Sequence, residues 1–239
     1  MSPLVRIWQV GRVNYVKALQ YQKILGQPHD GHQFENTLLI LEHNPTYTVG
    51  IRSKDYSHEE EVHLKSLGAD FHRTDRGGLI TFHGPGQLVV YPILHLRQFH
   101  EKQGTIGLRR YVEKLQAVVA KTCQSMGLQG CKTIKEFPGL WVGPKGEERK
   151  VCAVGVRAGR NIVSHGIALN CNVDLSWFEH IVPCGLEGKG VTSLTKELDR
   201  YVPVGDVIPA FIIAFSEEFL CQFCEFPVSL INKLSKEES

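Results

Sequence analysis

No apolar run in the chain reaches the roughly 18 residues a membrane-spanning helix needs; the longest candidate, Ile208 to Phe215, is interrupted by Pro209. Internal repeats and low-complexity segments are missing too, which excludes repeat architectures and compositionally biased tails. Net charge is scarce: 27 basic against 25 acidic side chains leave +2, too little to argue for nucleic acid as a partner. No glycine-rich dinucleotide or phosphate loop leads from a strand into a helix. The seven cysteines (Cys123, Cys131, Cys152, Cys171, Cys184, Cys221 and Cys224) are odd in number and scattered, and no secretory signal precedes them. Reduced thiols in an intracellular compartment are therefore expected rather than a disulfide framework. Cys221-Gln-Phe-Cys224 has redox-motif spacing but no second pair, and within its apolar helical pattern it reads as core. One further absence is local. No acidic residue precedes Asp30, while Arg6, Arg12, Lys17 and Lys23 are basic. That suits either a mitochondrial presequence or a first strand and helix that happen to be basic.

What is present is an ordinary globular balance, 42% hydrophobic and 22% charged over 239 residues. One domain over 1–239 is expected, its core at about residues 5–220 and a C-terminal tail at 225–239. A strand is expected at Val5 to Val10, then a helix capped by Asn14 and running to Leu25. Thr37 to Glu42 reads as a buried strand and Thr46 to Gly50 as another, followed by a helix over 58–67 and a short strand near Phe71. A long helix spans Ile106 to Met126, with Leu108, Tyr111, Val112, Leu115, Val118 and Val119 at helical spacing, and Gly127 ends it. Short strands follow at 139–143, 151–157, 162–164 and 167–172. A last helix is expected near Asp206 as its cap, with Pro209 in the first turn. Adjacent strands with helices inserted between them indicate an α+β fold.

The most informative stretch is Arg76-Gly-Gly-Leu-Ile-Thr-Phe-His-Gly-Pro-Gly-Gln87. Leu79 to Phe82 and Leu88 to Tyr91 have strand propensity. The glycines between and before them permit tight turns and close backbone approach. Arg76, Thr81, His83 and Gln87 add polar groups able to converge, so the stretch reads as a pocket lining; a hairpin about Gly-Pro-Gly is the plainer alternative.

Cys184 stands apart from the other cysteines. It lies between Pro183 and Gly185, with Gly188 and Gly190 close by, rather than in an apolar periodic segment, and is the candidate nucleophile. A thiolate needs a base or a nearby cation. Lys150, at the start of the strand Lys150-Val-Cys-Ala-Val-Gly-Val156, could supply that charge, although by residue type it is an ordinary surface lysine beside Arg149. His83 and His165 are rival partners, and spacing does not choose among the three.

These residues carry a resemblance. Arg76-Gly-Gly-x-x-Thr-Phe-His-x-x-Gly-Gln-x-x-x-Tyr91, Lys150 to Arg157, and Ser164-His-Gly-Ile-Ala-Leu-Asn170 followed by Pro183-Cys-Gly185 resemble, in order, the blocks of octanoyl-[acyl-carrier-protein]:protein N-octanoyltransferases. The segment Asp174 to Cys184 looks most like the mitochondrial animal branch. The resemblance implies the fold of biotin and lipoate protein ligase catalytic domains, a mixed, largely antiparallel sheet flanked by helices. It implies transfer of an octanoyl group from acyl carrier protein to a lysine of a lipoyl domain, through a thioester on Cys184. Lys150 would lower the cysteine's pKa and exchange protons. Arg76, Gly77, Gly78, Leu79, Ile80, Thr81, Phe82, His83, Ala153, Val154, Gly155, Gly166, Ile167 and Ala168 would line the acyl site.

Backbone N–H groups near Gly77, Gly78 or Gly185 are candidate oxyanion donors. The implied partners are the carrier protein and lipoyl domains of the glycine cleavage H protein and the 2-oxoacid dehydrogenase E2 subunits, in the mitochondrial matrix. The phosphopantetheine arm belongs to the carrier, so no cofactor or metal of the enzyme's own is implied. Lys145, Arg149, Lys150, Arg157 and Arg160, offset by Glu147 and Glu148, form either a basic rim that steers acidic partners or an ordinary charged surface. The competing readings are an ATP-dependent lipoate ligase on the same fold, which would not need Cys184, and a non-catalytic acyl-binding protein.

Overall fold

The structure, a computed structural model, describes residues 2–27, 34–51, 56–101, 104–182, 189–228 and 231. Its first half contains β1 (Leu4–Val13), α1 (Tyr15–Leu25), β2 (Asn36–His43), β3 (Thr46–Val49), α2 (His58–Ser66), β4 (Asp70–Arg73), β5 (Thr81–His83), β6 (Gln87–His95), β7 (His100–Glu101), β8 (Gly104–Thr105) and α3 (Leu108–Ser125). There follow β9 (Lys132–Ile134), β10 (Phe137–Val142), β11 (Arg149–Gly159), β12 (Ile162–Asn170), β13 (Gly190–Val191), α4 (Leu194–Leu198), α5 (Val204–Phe219) and β14 (Gln222–Glu225). Asn14 caps α1 by accepting from the Lys17 amide at 2.8 Å. Ser57 and Glu60 form a reciprocal capping box at α2.

The large sheet runs β14-β1-β2-β6-β12-β11-β10-β9, with β13 added beside β11. Neighbours from β2 through β9 are antiparallel, while β14, β1 and β2 run parallel at one edge. Both faces are covered, which explains why β6 reads as an unbroken apolar run instead of an alternating one. Leu88, Val90 and Leu94 point to the helices α3 and α5, among Tyr111, Leu115, Phe211 and Phe215. Val89, Tyr91 and Ile93 point the other way, to α1 and its Ala18 and Tyr21. A second, three-stranded sheet, β4-β3-β5, packs its own core from Tyr47, Phe71, Ile80, Phe82 and Phe178.

The structure corrects several expectations. Gly84-Pro85-Gly86 is no hairpin: β5 belongs to the small sheet and β6 to the large one, so this turn steps between sheets. β12 is one strand, not two. Helix α5 starts at Val204 with Pro203 as its cap residue; Asp206 lies inside its first turn and Pro209 beyond it. The helix begins early because Val204 and Val207 bury against the same face as Phe211. Cys221 follows that helix and Cys224 lies in β14, so the pair is not helical. The core also runs past residue 220. β14 pairs with β1, and Phe226 stacks on Trp8 with centroids 4.7 Å apart.

Phe226 is 6% exposed, so its truncation leaves a cavity under the sheet edge. Phe226→Ala is expected to cost about 3 kcal/mol of unfolding free energy, read from urea denaturation. A change below about 0.5 kcal/mol would place the segment outside the cooperative core.

Candidate active site

The site begins with a buried cation. The Arg76 side chain, 7% exposed, sits in the loop between β4 and β5. Its guanidinium donates to the Thr48 carbonyl at 2.7 Å and hydroxyl at 2.9 Å, to the Leu79 carbonyl at 2.9 Å and to the Gly77 carbonyl at 2.9 Å. Carbonyl dipoles on β3 and on its own loop thus surround the charge, as burial requires. The loop is also pinned to the large sheet, where the Gly77 amide donates to the Val156 carbonyl at 3.0 Å. That bond occupies one of the candidate oxyanion donors. The approach is tight at Gly155, where a Cβ would lie 3.0 Å from the Gly77 oxygen.

A chain of buried polar side chains continues from Thr48. His83 Nδ1 lies 2.8 Å from Gln87 Oε1, and Nε2 lies 3.2 Å from the Thr48 hydroxyl. An amide oxygen only accepts, so Nδ1 carries the proton and the threonine donates to Nε2. Gln87 in turn donates to Asn170 Oδ1 at 2.8 Å, and Asn170 to the Thr192 carbonyl at 2.9 Å. The Thr192 amide donates to the Lys150 carbonyl at 3.0 Å. Burial, and then the nearby His43 and Arg76, hold His83 well below the ordinary histidine range. With both nitrogens engaged and the ring neutral, His83 is poorly suited to act as a base. His165, its rival, has Nε2 at 3.1 Å from Asp75 Oδ1.

Between the two sheets these elements enclose a narrow cleft. Arg76, Gly78, Leu79, Thr81 and His83 line it from the small-sheet side. Ala153, Val154 and Gly155 of β11 and Gly166, Ile167 and Ala168 of β12 line it from the large sheet. Gly77, Ile80 and Phe82, also expected there, do not line it. Strand alternation sends Thr81 and His83 to the cleft and Phe82 into the small core, stacked on Trp177 at 5.0 Å. Tyr15 and Tyr91 line the cleft as well. Tyr15 carried no signal beyond its place in the first turn of an amphipathic helix. Burial pushes the Tyr15 phenol up to about 12 and the Tyr91 phenol well above its ordinary value. Apart from Arg76, whose charge faces carbonyls, the lining is uncharged.

Lys150 is not a surface lysine. It is 5% exposed, and its ammonium lies 4.6 Å from the centroid of the Trp141 ring, in cation–π range. A β-bulge puts it there. Trp141 pairs with Lys150 and Leu140 with Cys152, so Val151 is the extra residue. Val151 and Cys152 both face the α3–α5 core. Ala153 then faces the other way, and Lys150 shares its cavity instead of the core. That cavity, lined also by Thr81, Gln87, Asn170 and Phe178, meets the cleft at Thr81 and Ala153.

Three of the five cations of the proposed basic rim are engaged elsewhere. Arg149 grips Glu197 at 2.9 and 3.0 Å, Arg157 meets Asp75 at 3.0 Å, and Lys150 points inward. Cys184 and Gly185 lie outside the described residues. Among the described residues no cysteine lines the cleft, and burial pushes the Cys171 and Cys221 thiols up to about 12 and the Cys152 thiol higher still.

The chain belongs to the lipoyl protein ligase A/B catalytic domain family, whose model matches residues 14–216. Within it, the chain is 50% identical over 229 residues to a protein named putative lipoyltransferase 2, mitochondrial, from Drosophila melanogaster, covering 94% of each. It is 44% identical over 230 residues to the human octanoyl-[acyl-carrier-protein]:protein N-octanoyltransferase, mitochondrial, covering 92% of this chain and 95% of that one. Among solved structures, the bipartite lipoate protein ligase of Thermoplasma acidophilum shares the fold, with a TM-score of 0.71 at 17% identity over 99% of this chain and 91% of the other.

The buried histidines make the fold acid-sensitive. His43 donates from Nδ1 to the Val13 carbonyl at 3.0 Å and accepts the Tyr91 hydroxyl at 2.8 Å, and burial pushes it down to about 4. A histidine held neutral when folded takes up its proton first in the unfolded chain. Stability is therefore complete above about pH 6.5 and declines as pH falls towards 4. His43 alone accounts for about 3 kcal/mol across that window. Urea unfolding at pH 7 and pH 4.5 should show the loss, and His43→Gln should flatten it; an unchanged slope in the variant would rule out His43 as its source.

Proposed function

We infer that this chain is a mitochondrial acyltransferase that moves an octanoyl group from an acyl carrier protein to lysines of lipoyl domains. The observation that carries the site assignment is that the Lys150 cavity adjoins an uncharged cleft, with Thr81 and Ala153 lining both. An unbranched alkyl chain suits this cleft: the lining offers apolar contact, and the polar groups of Arg76 and His83 are taken up by Thr48, Gln87 and backbone carbonyls. Burying methylenes contributes about 0.8 kcal/mol each, so chain-length preference should be real but graded.

The acyl group is carried on Cys184. Its thiolate attacks the carbonyl of the octanoyl thioester, forming a new C–S bond through a tetrahedral oxyanion. The bond to the carrier's phosphopantetheine sulfur then breaks, and that sulfur takes a proton from the Lys150 ammonium. In the second half, the neutral amine of a lipoyl-domain lysine attacks the Cys184 thioester. An amide forms, the Cys184 thiolate leaves, and neutral Lys150 accepts the amine's proton. Both sulfur and nitrogen are restored, so the cycle consumes only thioester and amine and calls for neither ATP nor metal. The burial of Cys152, Cys171 and Cys221 and the aromatic face holding Lys150 support this division of roles. Acceptors on the glycine cleavage H protein and the dehydrogenase E2 subunits fit the same chemistry.

Incubation with octanoyl-carrier protein without ATP should add one octanoyl group to the intact mass, labile to neutral hydroxylamine and absent from Cys184→Ala. Transfer that appears only with ATP would instead indicate a ligase. Lys150→Ala should slow transfer by about 100-fold or more; full activity would remove Lys150 from the mechanism. Ala153→Leu, which adds bulk where the cleft adjoins the Lys150 cavity, should lower octanoyl transfer by about 100-fold with little change in melting temperature. Undiminished transfer would put the acyl chain elsewhere.

A further inference from the structure

Two cavities meet at one residue. His165 lines the acyl cleft and also a larger cavity of about 1230 Å³, bounded by Gln22, Asp75, Arg157 and Ile162 among others. The side chain is 3% exposed and stands between the two spaces. Its backbone is left-handed, at φ 54°, in the middle of β12, a conformation uncommon for a residue with a side chain. Three contacts hold it there. Its amide donates to Gln22 Oε1 at 2.7 Å, Nε2 meets Asp75 Oδ1 at 3.1 Å, and the ring stands edge-on to Tyr91 at 5.9 Å. A residue held in strained backbone by groups from α1, β6 and the β4–β5 loop is placed for a purpose beyond sheet pairing.

Its position along the cleft gives that purpose. The ladder of β11 and β12 pairs Ala153 with Ala168, Gly155 with Gly166 and Val156 with His165. Ala153 and Ala168 stand near the Lys150 end and His165 at the other. Ala153 to Val156 spans about 10 Å at roughly 3.3 Å per residue, comparable to an extended eight-carbon chain. Two more carbons would meet the imidazole.

We propose that His165 is the end stop of the acyl cleft and sets the chain length the enzyme accepts, with Gln22 and Asp75 as its positioning residues. The proposal rests on the acyl-cleft assignment above. Removing the imidazole joins the cleft to the larger cavity and lets longer chains extend into it.

The test compares transfer rates from hexanoyl- through dodecanoyl-carrier protein to a lipoyl-domain acceptor for the full chain, His165→Gly and His165→Asn. Both replacements tolerate the left-handed backbone, so the fold has two independent chances to survive. The decanoyl-to-octanoyl rate ratio should rise about tenfold, the worth of two more buried methylenes. A ratio unchanged in both variants, or a parallel loss for every chain length, overturns the end stop. Ala153→Leu separates the two failures. If it blocks octanoyl transfer while the His165 variants keep the original ratio, the cleft is placed correctly and only the stop is wrong. If it blocks nothing, the cleft itself is misassigned.

Discussion

The geometry of this site depends on how a buried guanidinium is satisfied. Arg76 donates to carbonyls of β3 and of its own loop, and the neighbouring Gly77 amide bonds to β11. A cation taken out of water is costly unless oxygen atoms surround it. Here those oxygens come from the small sheet and the loop, while the loop is tied to the large sheet. The Arg76 bonds and the Gly77 bond together hold the small sheet against the large one, and the cleft is the space left between them.

The second device is the bulge at Val151. A strand with strict alternation would send Lys150 to the same face as Cys152, into the α3–α5 core, where an ammonium has no place. One extra residue reverses the direction and brings the ammonium beside Trp141, into the cavity that adjoins the cleft. The hydrogen-bonded chain from His83 through Gln87 and Asn170 to Thr192 then links the cleft wall to the strand that carries Lys150. Such a network, once complete, is rigid because each member would lose a buried bond by moving. Burial, with His43 and Arg76 nearby, keeps the histidine neutral, so the cleft offers an alkyl chain an uncharged wall.

Under the proposed function both devices serve one reaction. Acyl transfer from a thioester needs a thiol, a group that can give and take a proton, and a dry slot that holds the chain in register with them. In the proposed mechanism the slot is the cleft between the sheets and the proton carrier is the lysine at the bulge.

The periodicity of the sequence determined the helices α1, α2 and α3, most of the strands, and the α+β class, because these follow from local spacing and capping. The Arg76–Gln87 stretch was also legible as a pocket lining, since its glycines and convergent polar residues fit no plain core segment. Assigning Lys150 and Cys184 drew on a family resemblance; residue type alone left Lys150 on the surface. Tertiary structure decided the rest. The inward turn of Lys150 comes from a bulge defined only by its partner strand. The left-handed His165 is held by side chains from α1 and the β4–β5 loop, and the Gly84–Gly86 turn joins two sheets because of what packs on each. Local propensity acts within a few residues, whereas the direction of a side chain at a bulge or a strained position is settled by contacts far away in sequence.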